Sequence, residues 1–339
     1  MADPRLRIGI LGAANIARLF VDAARGSGKV EIRAVASRDV ERGRKFAGEL
    51  GIPRVHSTYE GLLGDAEIDA VYNPLPNNLH AEWSIRAADA GKHVLCEKPL
   101  ATSAAEARLM FQAARRNRVH VVEGYPYRAQ PQTRKLRELL AEGAIGRVHT
   151  IQAAFGFPLT DPANIRMNPA LGGGALMDAG SYPVSLVRMI AGERPSRVQA
   201  AVRWAETGVD RTLAGTIDFP SGVLAQIACT FATARHRRAF IVGDTGTITT
   251  TYLNDTGPAM PPVLELTRGT GWDATRETIE TGSVKGFLAE AEAFADLVSQ
   301  GMGAWPGATP EESVDILLTL DALAESARKG TAVHIAKED

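Results

Sequence analysis

The stretch from Leu6 to Ala24 sets the terms for the rest of the chain. Leu6–Leu11 is a short apolar run, Gly12-Ala-Ala14-Asn15-Ile16-Ala17 is a turn of small residues, and the segment to about Ala24 suits a helix. A glycine at position 12 permits a tight strand-to-helix turn. A small residue in the second slot, here Ala14, lets backbone come close to an anion on the helix N-terminus. The spacing follows G-x-G-x-x-G/A, the fingerprint of a dinucleotide-binding βαβ unit, with Ala17 in the third slot. Alanine at 14 departs from the usual glycine, and an ordinary βα turn would also accommodate this hexapeptide.

The alternation that follows narrows the choice. A second apolar run, Val30–Ala36, ends about 20 residues beyond the fingerprint, where such a fold places the residue that reads the adenosine ribose. Asp or Glu there would accept from a 2′-hydroxyl; this chain carries Ser37-Arg38. A hydroxyl beside a guanidinium suits a 2′-phosphate, which selects NADP over NAD as the expected cofactor, with NAD the alternative. Asp39 speaks for the ribose hydroxyl but also suits a helix N-cap, and Arg38 would be equally at home on a solvated loop. Further helices are expected at Val40–Leu50, Asn78–Ala90 and Ala104–Asn117, and strands at Arg54–Ser57, Ile68–Tyr72, His93–Glu97 and Val119–Glu123. Six strands with helices between them make a doubly wound parallel sheet, whose ligands lie at the carboxyl ends of the strands. Two segments end up there: Asn73-Pro74-Leu75-Pro76-Asn77 after the fourth strand and Glu97-Lys98-Pro99 after the fifth. His80 suits a hydrogen-bonding role near the cleft better than direct catalysis, and Lys98 alone would pass for an exposed loop cation.

At 339 residues the chain is long enough for two domains, expected at 1–124 and 125–339. A net charge of −1 argues against the electrostatic footprint of a nucleic-acid or anionic-membrane binder. No run of about 18 apolar residues offers a membrane span. Asn15, Arg18 and Asp22 interrupt the only N-terminal stretch resembling a leader. Two cysteines, Cys96 and Cys229, suit a reducing compartment, so a cytoplasmic protein is expected. The histidines and cysteines never fall into ligand spacing, and no metal is expected.

Beyond residue 125 the texture changes. Alternating runs at Val148–Phe155, Val198–Trp204, Thr212–Phe219, Val223–Phe231 and Ile248–Tyr252 point to a large, mostly antiparallel sheet in an α+β domain. Phe287–Ser299 and Glu311–Arg328 read as helices closing this half. Gly172-Gly-Gly174 leads into Ala175–Ile190, where Asp178 and Tyr182 stand four apart on one helical face. Pro183 should interrupt that helix near residue 179. By themselves Asp178 and Tyr182 read as a cap and a packing tyrosine. Arg166, on the loop ahead of the glycines, reads as either a cofactor or substrate contact or a surface residue.

Four stretches in order carry a resemblance: Gly12–Ala17, Leu75-Pro-Asn-Asn-Leu-His80-Ala-Glu-Trp83, Ala90-Gly-Lys-His-Val-Leu-Cys-Glu97-Lys98-Pro99, and Gly172-Gly-Gly-Ala-Leu-Met-Asp178-Ala-Gly-Ser-Tyr182. Together they resemble the Gfo/Idh/MocA family of nicotinamide-dependent oxidoreductases, nearest its glucose–fructose oxidoreductase-like and dimeric dihydrodiol dehydrogenase-like branch. The resemblance implies that Lys98 contacts nicotinamide ribose and substrate, that Asp178 orients the substrate and that Tyr182 gives or takes the proton. Inositol dehydrogenase-type members carry histidine in the last position, so tyrosine lowers the expectation of an inositol. Gly12, Ala14, Asn15, Ile16, Ser37, Arg38, Pro74, Leu75, Asn77, His80, Glu97, Lys98 and Arg166 are the expected cofactor contacts. The expected reaction moves a hydride between NADP and a sugar-like carbinol, with the Lys98 ammonium favouring the Tyr182 phenolate. The same fold also serves nucleotide-sugar ketoreduction, trans-dihydrodiol oxidation and NAD-dependent glycosidic cleavage. Family likeness further implies a homodimer or homotetramer through the second sheet.

Overall fold

The computed structural model describes residues 5–255 and 260–336; the outermost ends of both expected domains lie outside them. The chain divides into two compact units, residues 1–129 with 284–310, and 130–283 with 311–339.

The first unit is built on a six-stranded sheet. Strands β1 (Leu6–Leu11), β2 (Val30–Ala36), β3 (Arg54–His56), β4 (Ala70–Asn73), β5 (His93–Glu97) and β6 (Val121–Gly124) run in the order β3-β2-β1-β4-β5-β6. All pairings are parallel, because helices α1 (Asn15–Ala24), α2 (Val40–Leu50), α3 (Tyr59–Leu63), α4 (His80–Asp89) and α5 (Ala104–Asn117) carry the chain back after each strand. Strand β1 pairs with both β2 and β4, so the order reverses beside the Gly12 turn, the place where such sheets open a ligand crevice. Buried Ile8, Ile10, Val35, Tyr72 and Leu95 form the core, with Tyr72 stacked on Phe20 of α1 at 4.0 Å between ring centroids.

The late segment 284–310 belongs to this unit rather than to the second half, where its place in the chain suggested it would lie. Phe287, Ala291, Phe294 and Leu297 form a helical stripe that joins the core beside α1. Burying such a stripe outweighs sequence order, since each large side chain contributes roughly 1.5–3 kcal/mol.

The second unit holds α6 (Pro131–Ala141), α7 (Ser181–Ala191) and α9 (Pro310–Lys329), while α8 (Gly286–Gln300) is the stripe-bearing helix just described. Its sheet contains β7 (Val148–Gly156), β8 (Arg197–Trp204), β9 (Asp210–Asp218), β10 (Leu224–Thr230), β11 (His236–Gly243), β12 (Gly246–Thr250), β13 (Val263–Arg268), β14 (Thr275–Glu280) and β15 (Val333–His334). The nine strands lie in the order β14-β13-β12-β11-β7-β10-β9-β8-β15 and are antiparallel except for the β7–β10 pair. One face packs under helices: Ser326 of α9 accepts from Ala200 N at 2.9 Å. Buried Asp315 takes Arg188 of α7 at 2.8 Å and Arg194 at 2.5 Å, tying α7 to α9. The other face presents small and polar side chains, among them Gln152, Ala154, Gln199, Ala201 and Gln226, with exposed Leu224 and Phe240.

The helix carrying Asp178 and Tyr182 is interrupted as Pro183 requires. Residues Leu176–Gly180 form a wider π-type turn that passes into α7 at Ser181. Pro183 has no N–H for the Ala179 carbonyl and its ring crowds that oxygen, so a regular turn is barred there.

Candidate active site

In the first unit, the fingerprint turn is shaped for an anion. Gly12 has φ +90°, a conformation that favours glycine, and a Cβ there would lie 2.9 Å from Leu75 Cδ2. Leu75, expected near the cofactor, therefore packs on the fingerprint turn itself. Ala14 caps α1 with extended backbone but no side-chain bond, and the first turn has no acidic residue. The leading N–H groups of α1, at exposed Asn15 and half-buried Ile16, are thus left for a phosphate. A dinucleotide pyrophosphate fits this cradle.

Ser37 and Arg38 follow β2 on the same edge. Ser37 is buried, and a Cβ on Gly43 would meet it at 2.9 Å, so α2 is pressed against the serine. Arg38 is exposed, its guanidinium 6.0 Å from the Tyr59 ring centroid. Asp39 is occupied as the N-cap of α2, accepting from Arg42 N at 3.0 Å. Arg42, which the sequence reading did not single out, donates to Ala13 O at 2.8 Å and adds a second cation beside the fingerprint. Its signal was available: one helical turn beyond the cap, its side chain points back over the β1–α1 turn.

The loop after β4 is held from beneath. Asn73 is fully buried, donates to His80 O at 3.2 Å and to Ser84 Oγ at 3.0 Å, and accepts from Leu75 N at 3.3 Å. Pro74 is buried with it, and Asn77 begins a short 3₁₀ turn at the surface. His80 joins two loops: Nδ1 lies 2.8 Å from Pro99 O and Nε2 2.7 Å from Leu75 O. Burial lowers its pKa more than the two carbonyls raise it. The ring acts as a clasp between the Leu75 and Lys98-Pro99 segments, each nitrogen facing a carbonyl oxygen.

Lys98 sits half-buried at the end of β5, where a lysine was expected. Glu97 is turned inward: Tyr72 donates to its Oε1 at 2.5 Å, and Lys98 N to its Oε2 at 3.3 Å. Behind it, Glu290 of α8 is fully buried with no hydrogen-bond partner among the described residues. Burial, and then the negative charge of Glu97, push the Glu290 pKa well up.

In the second unit, the glycine run positions Asp178. A Cβ on Gly173 would lie 2.5 Å from Arg166 O, and at Gly174, with φ +123°, an added Cβ would run into the Asp210 carboxylate. The close approach seats Arg166, whose Nε meets Asp178 Oδ2 at 2.7 Å across a partly exposed gap. Asp210 accepts from Leu176 N at 2.6 Å, fixing the start of the π-type turn. Burial raises the Asp210 pKa to about 6 against the opposing bonds from backbone N–H groups. A folded pKa above the ordinary 3.8 means the native state binds the extra proton, so this group's contribution to stability falls as pH rises from about 4 to 6. Asp210→Asn should remove that slope, on the order of 2–3 kcal/mol across the window. Urea denaturation of both proteins from pH 4.5 to 7.5 reads it; parallel curves for the two would reject this source.

Tyr182 lies buried on α7, edge-on to Phe155 at 5.4 Å. Its hydroxyl accepts from Asn254 Nδ2 at 2.9 Å. The Arg237 guanidinium stands 3.9 Å from the Tyr182 ring centroid, between that ring, Phe155 at 5.0 Å and Tyr252 at 4.8 Å. Arg237 NH1 also meets Asn254 Oδ1 at 3.2 Å. Neither Arg237 nor Asn254 was singled out from the sequence. Asn254 lies between β12 and β13 in a segment without periodicity. Arg237 reads as an ordinary charge where β11 begins.

A doubly wound sheet with a phosphate-ready turn and a lysine at a strand's carboxyl end suits a dinucleotide-binding enzyme. Family models agree in both halves: residues 6–125 match the oxidoreductase family with NAD-binding Rossmann fold, and residues 133–249 match the GFO/IDH/MocA C-terminal domain. A D-xylose 1-dehydrogenase (NADP(+)) from Haloferax volcanii is 38% identical over 97% of this chain and 100% of its own. A trans-1,2-dihydrobenzene-1,2-diol dehydrogenase from Danio rerio is 37% identical over 72% of this chain and 73% of its own. Among solved structures, a 3-ketoreductase from Actinomadura kijaniata in complex with NADP and TDP-benzene superposes with a TM-score of 0.86. It is 31% identical, with 95% of this chain and 98% of that one covered. The chain belongs to the Gfo/Idh/MocA family of oxidoreductases. Among the described residues no helix is long and apolar enough to cross a membrane, and no group of side chains is arranged to hold a metal.

Proposed function

We propose that this protein is an NADP-dependent oxidoreductase that moves a hydride between nicotinamide and a carbinol carbon of a sugar or sugar-like polyol. The observation that carries the reading is Ser37-Arg38 at the end of β2, with Asp39 committed to capping α2 and Arg42 against the fingerprint loop. That set favours a 2′-phosphate over a ribose diol. Bound nicotinamide supplies or receives the hydride. Tyr182 takes the substrate hydroxyl proton in oxidation and returns it in reduction, Asp178 with Arg166 orients a substrate hydroxyl, and Lys98 contacts ribose and substrate. Gly12, Ala14, Asn15 and Ile16 hold the pyrophosphate; Pro74, Leu75 and Asn77 border the nicotinamide. His80 and Glu97 serve the cofactor from behind, by fixing the Leu75 and Lys98-Pro99 segments.

Two related substrates have support in the relatives' own activities: a nucleotide-linked keto-sugar and a trans-dihydrodiol. Nicotinamide absorbance with an aldose panel, a trans-dihydrodiol and a dTDP-keto-sugar, each with NADP(H) and NAD(H), separates them. Glycosidase activity without net absorbance change would reject net hydride transfer. The protein works in a reducing compartment, supported by two buried, unbridged thiols, Cys96 and Cys229. It associates as a homodimer or homotetramer through the open face of the second sheet, supported by exposed Leu224 and Phe240 there. A monomer by light scattering would overturn that.

A further inference from the structure

The proton chemistry of Tyr182 needs a phenol that is both aimed and acidified, since a tyrosine ordinarily titrates near 10. We propose that Arg237 and Asn254 do both, as positioning residues that orient the Tyr182 hydroxyl and favour its ionised form. The proposal rests on Tyr182 as the proton donor and acceptor.

Orientation follows from hydrogen-bond inventory alone. A guanidinium only donates, so the Asn254 side chain must present its oxygen to Arg237 NH1, 3.2 Å away. That leaves the amide nitrogen, which also only donates, 2.9 Å from the Tyr182 oxygen. The phenol oxygen is therefore the acceptor, and its own proton points away from Asn254. Without Arg237 the amide is able to turn over and the phenol is able to donate into it, which would spend the proton on the protein.

Acidity follows from charge. The Arg237 guanidinium lies 3.9 Å from the ring centroid and is only 6% exposed, so water screens it poorly. It cannot lose its proton in any working range. An opposite charge within about 4–6 Å favours the ionised form by roughly one to three pH units. Donation from Asn254 to the oxygen acts in the same sense.

Other groups on the elements around the phenol have partners of their own. Asp178, one turn earlier, is paired with Arg166, and Arg188 farther along α7 is paired with Asp315. Asp210 of β9 is bound to Leu176 N, and burial keeps the Cys229 thiol of β10 protonated. Tyr252 donates its proton to Ala154 O at 2.8 Å, and Asp255 is exposed. His236, beside Arg237 in the strand, faces Ala234 O at 2.9 Å.

The test is a near-ultraviolet tyrosinate titration of the intact protein, with Tyr182→Phe subtracted to isolate one of the six tyrosines. Arg237→Gln should move the Tyr182 transition up by about one to two pH units, and Arg237→Lys should recover part of it. Asn254→Leu should move it up by less. An unmoved transition in folded Arg237→Gln overturns the proposal, as does Arg237→Lys behaving like Arg237→Gln. If Arg237→Gln fails to fold, Asn254→Leu decides: an unmoved transition there overturns the proposal. The titration needs neither substrate nor turnover, so it reads separately from the catalytic role. A fully active Tyr182→Phe removes that role whatever the titration shows.

Discussion

Tyr182→Phe should lower turnover by about 10²–10⁴-fold, the loss expected when a positioned acid–base group is removed, and leave NADPH affinity unchanged. The substitution deletes one oxygen and keeps the ring, so the edge contact with Phe155 and the stack under Arg237 persist. What the protein loses locally is the acceptor for Asn254 Nδ2, a net hydrogen bond of roughly 0.5–1.5 kcal/mol that leaves the fold intact. The fall should appear in kcat and in kcat/KM alike, because the proton moves only as the hydride does. Unchanged turnover in the folded variant would take the proton role away from Tyr182.

Arg38→Ala should weaken NADPH binding by about ten- to a hundredfold and leave NADH binding nearly as it was. A charge-assisted bond to phosphate is worth roughly 1.5–3 kcal/mol, which converts to that range. The exposed side chain near the Tyr59 ring has no ion pair among the described residues, so the fold should tolerate its removal. Fluorescence titration with each reduced cofactor measures both constants. Equal loss for NADPH and NADH would assign Arg38 to a shared part of the dinucleotide. Wild-type preference for NADH would transfer the ribose contact to another group and revive the glycosidic-cleavage alternative.

The first unit was legible because its rules are local. Short apolar runs, a glycine that must turn the chain and a cap such as Asp39 each act within a few residues, and the structure follows them nearly to the residue. The late helix α8 was read as a helix but placed in the wrong half, since periodicity shows that a stripe must be buried and not against what. In the second sheet β11 and β13 were missed. Arg237 and Arg238 break the apolar pattern of one, and in the other glutamate and threonine alternate with leucine over only six residues. Strand β14 is almost entirely exposed and polar, so it carries no signal of burial at all.

The site divides the same way. Lys98 was visible because a strand end aims it, and Pro183 announced the break that the π-type turn fulfils. The pairing of Arg166 with Asp178 was invisible, because glycines 173 and 174 act by letting backbone close up, which no side-chain pattern records. Arg237 and Asn254 escaped for a related reason: their roles exist only where three separate segments meet around one ring.

Direct hydride transfer from a sugar is the central claim, and isotope transfer tests it without assuming which carbon reacts. The protein is incubated with NADP+ and a perdeuterated aldose that supports activity, and the NADPH formed is weighed by mass spectrometry. Deuterium at the nicotinamide C4 of the product, one per turnover, is the predicted result. NADPH formed without deuterium, or no NADPH with any aldose, dihydrodiol or sugar nucleotide, would contradict it.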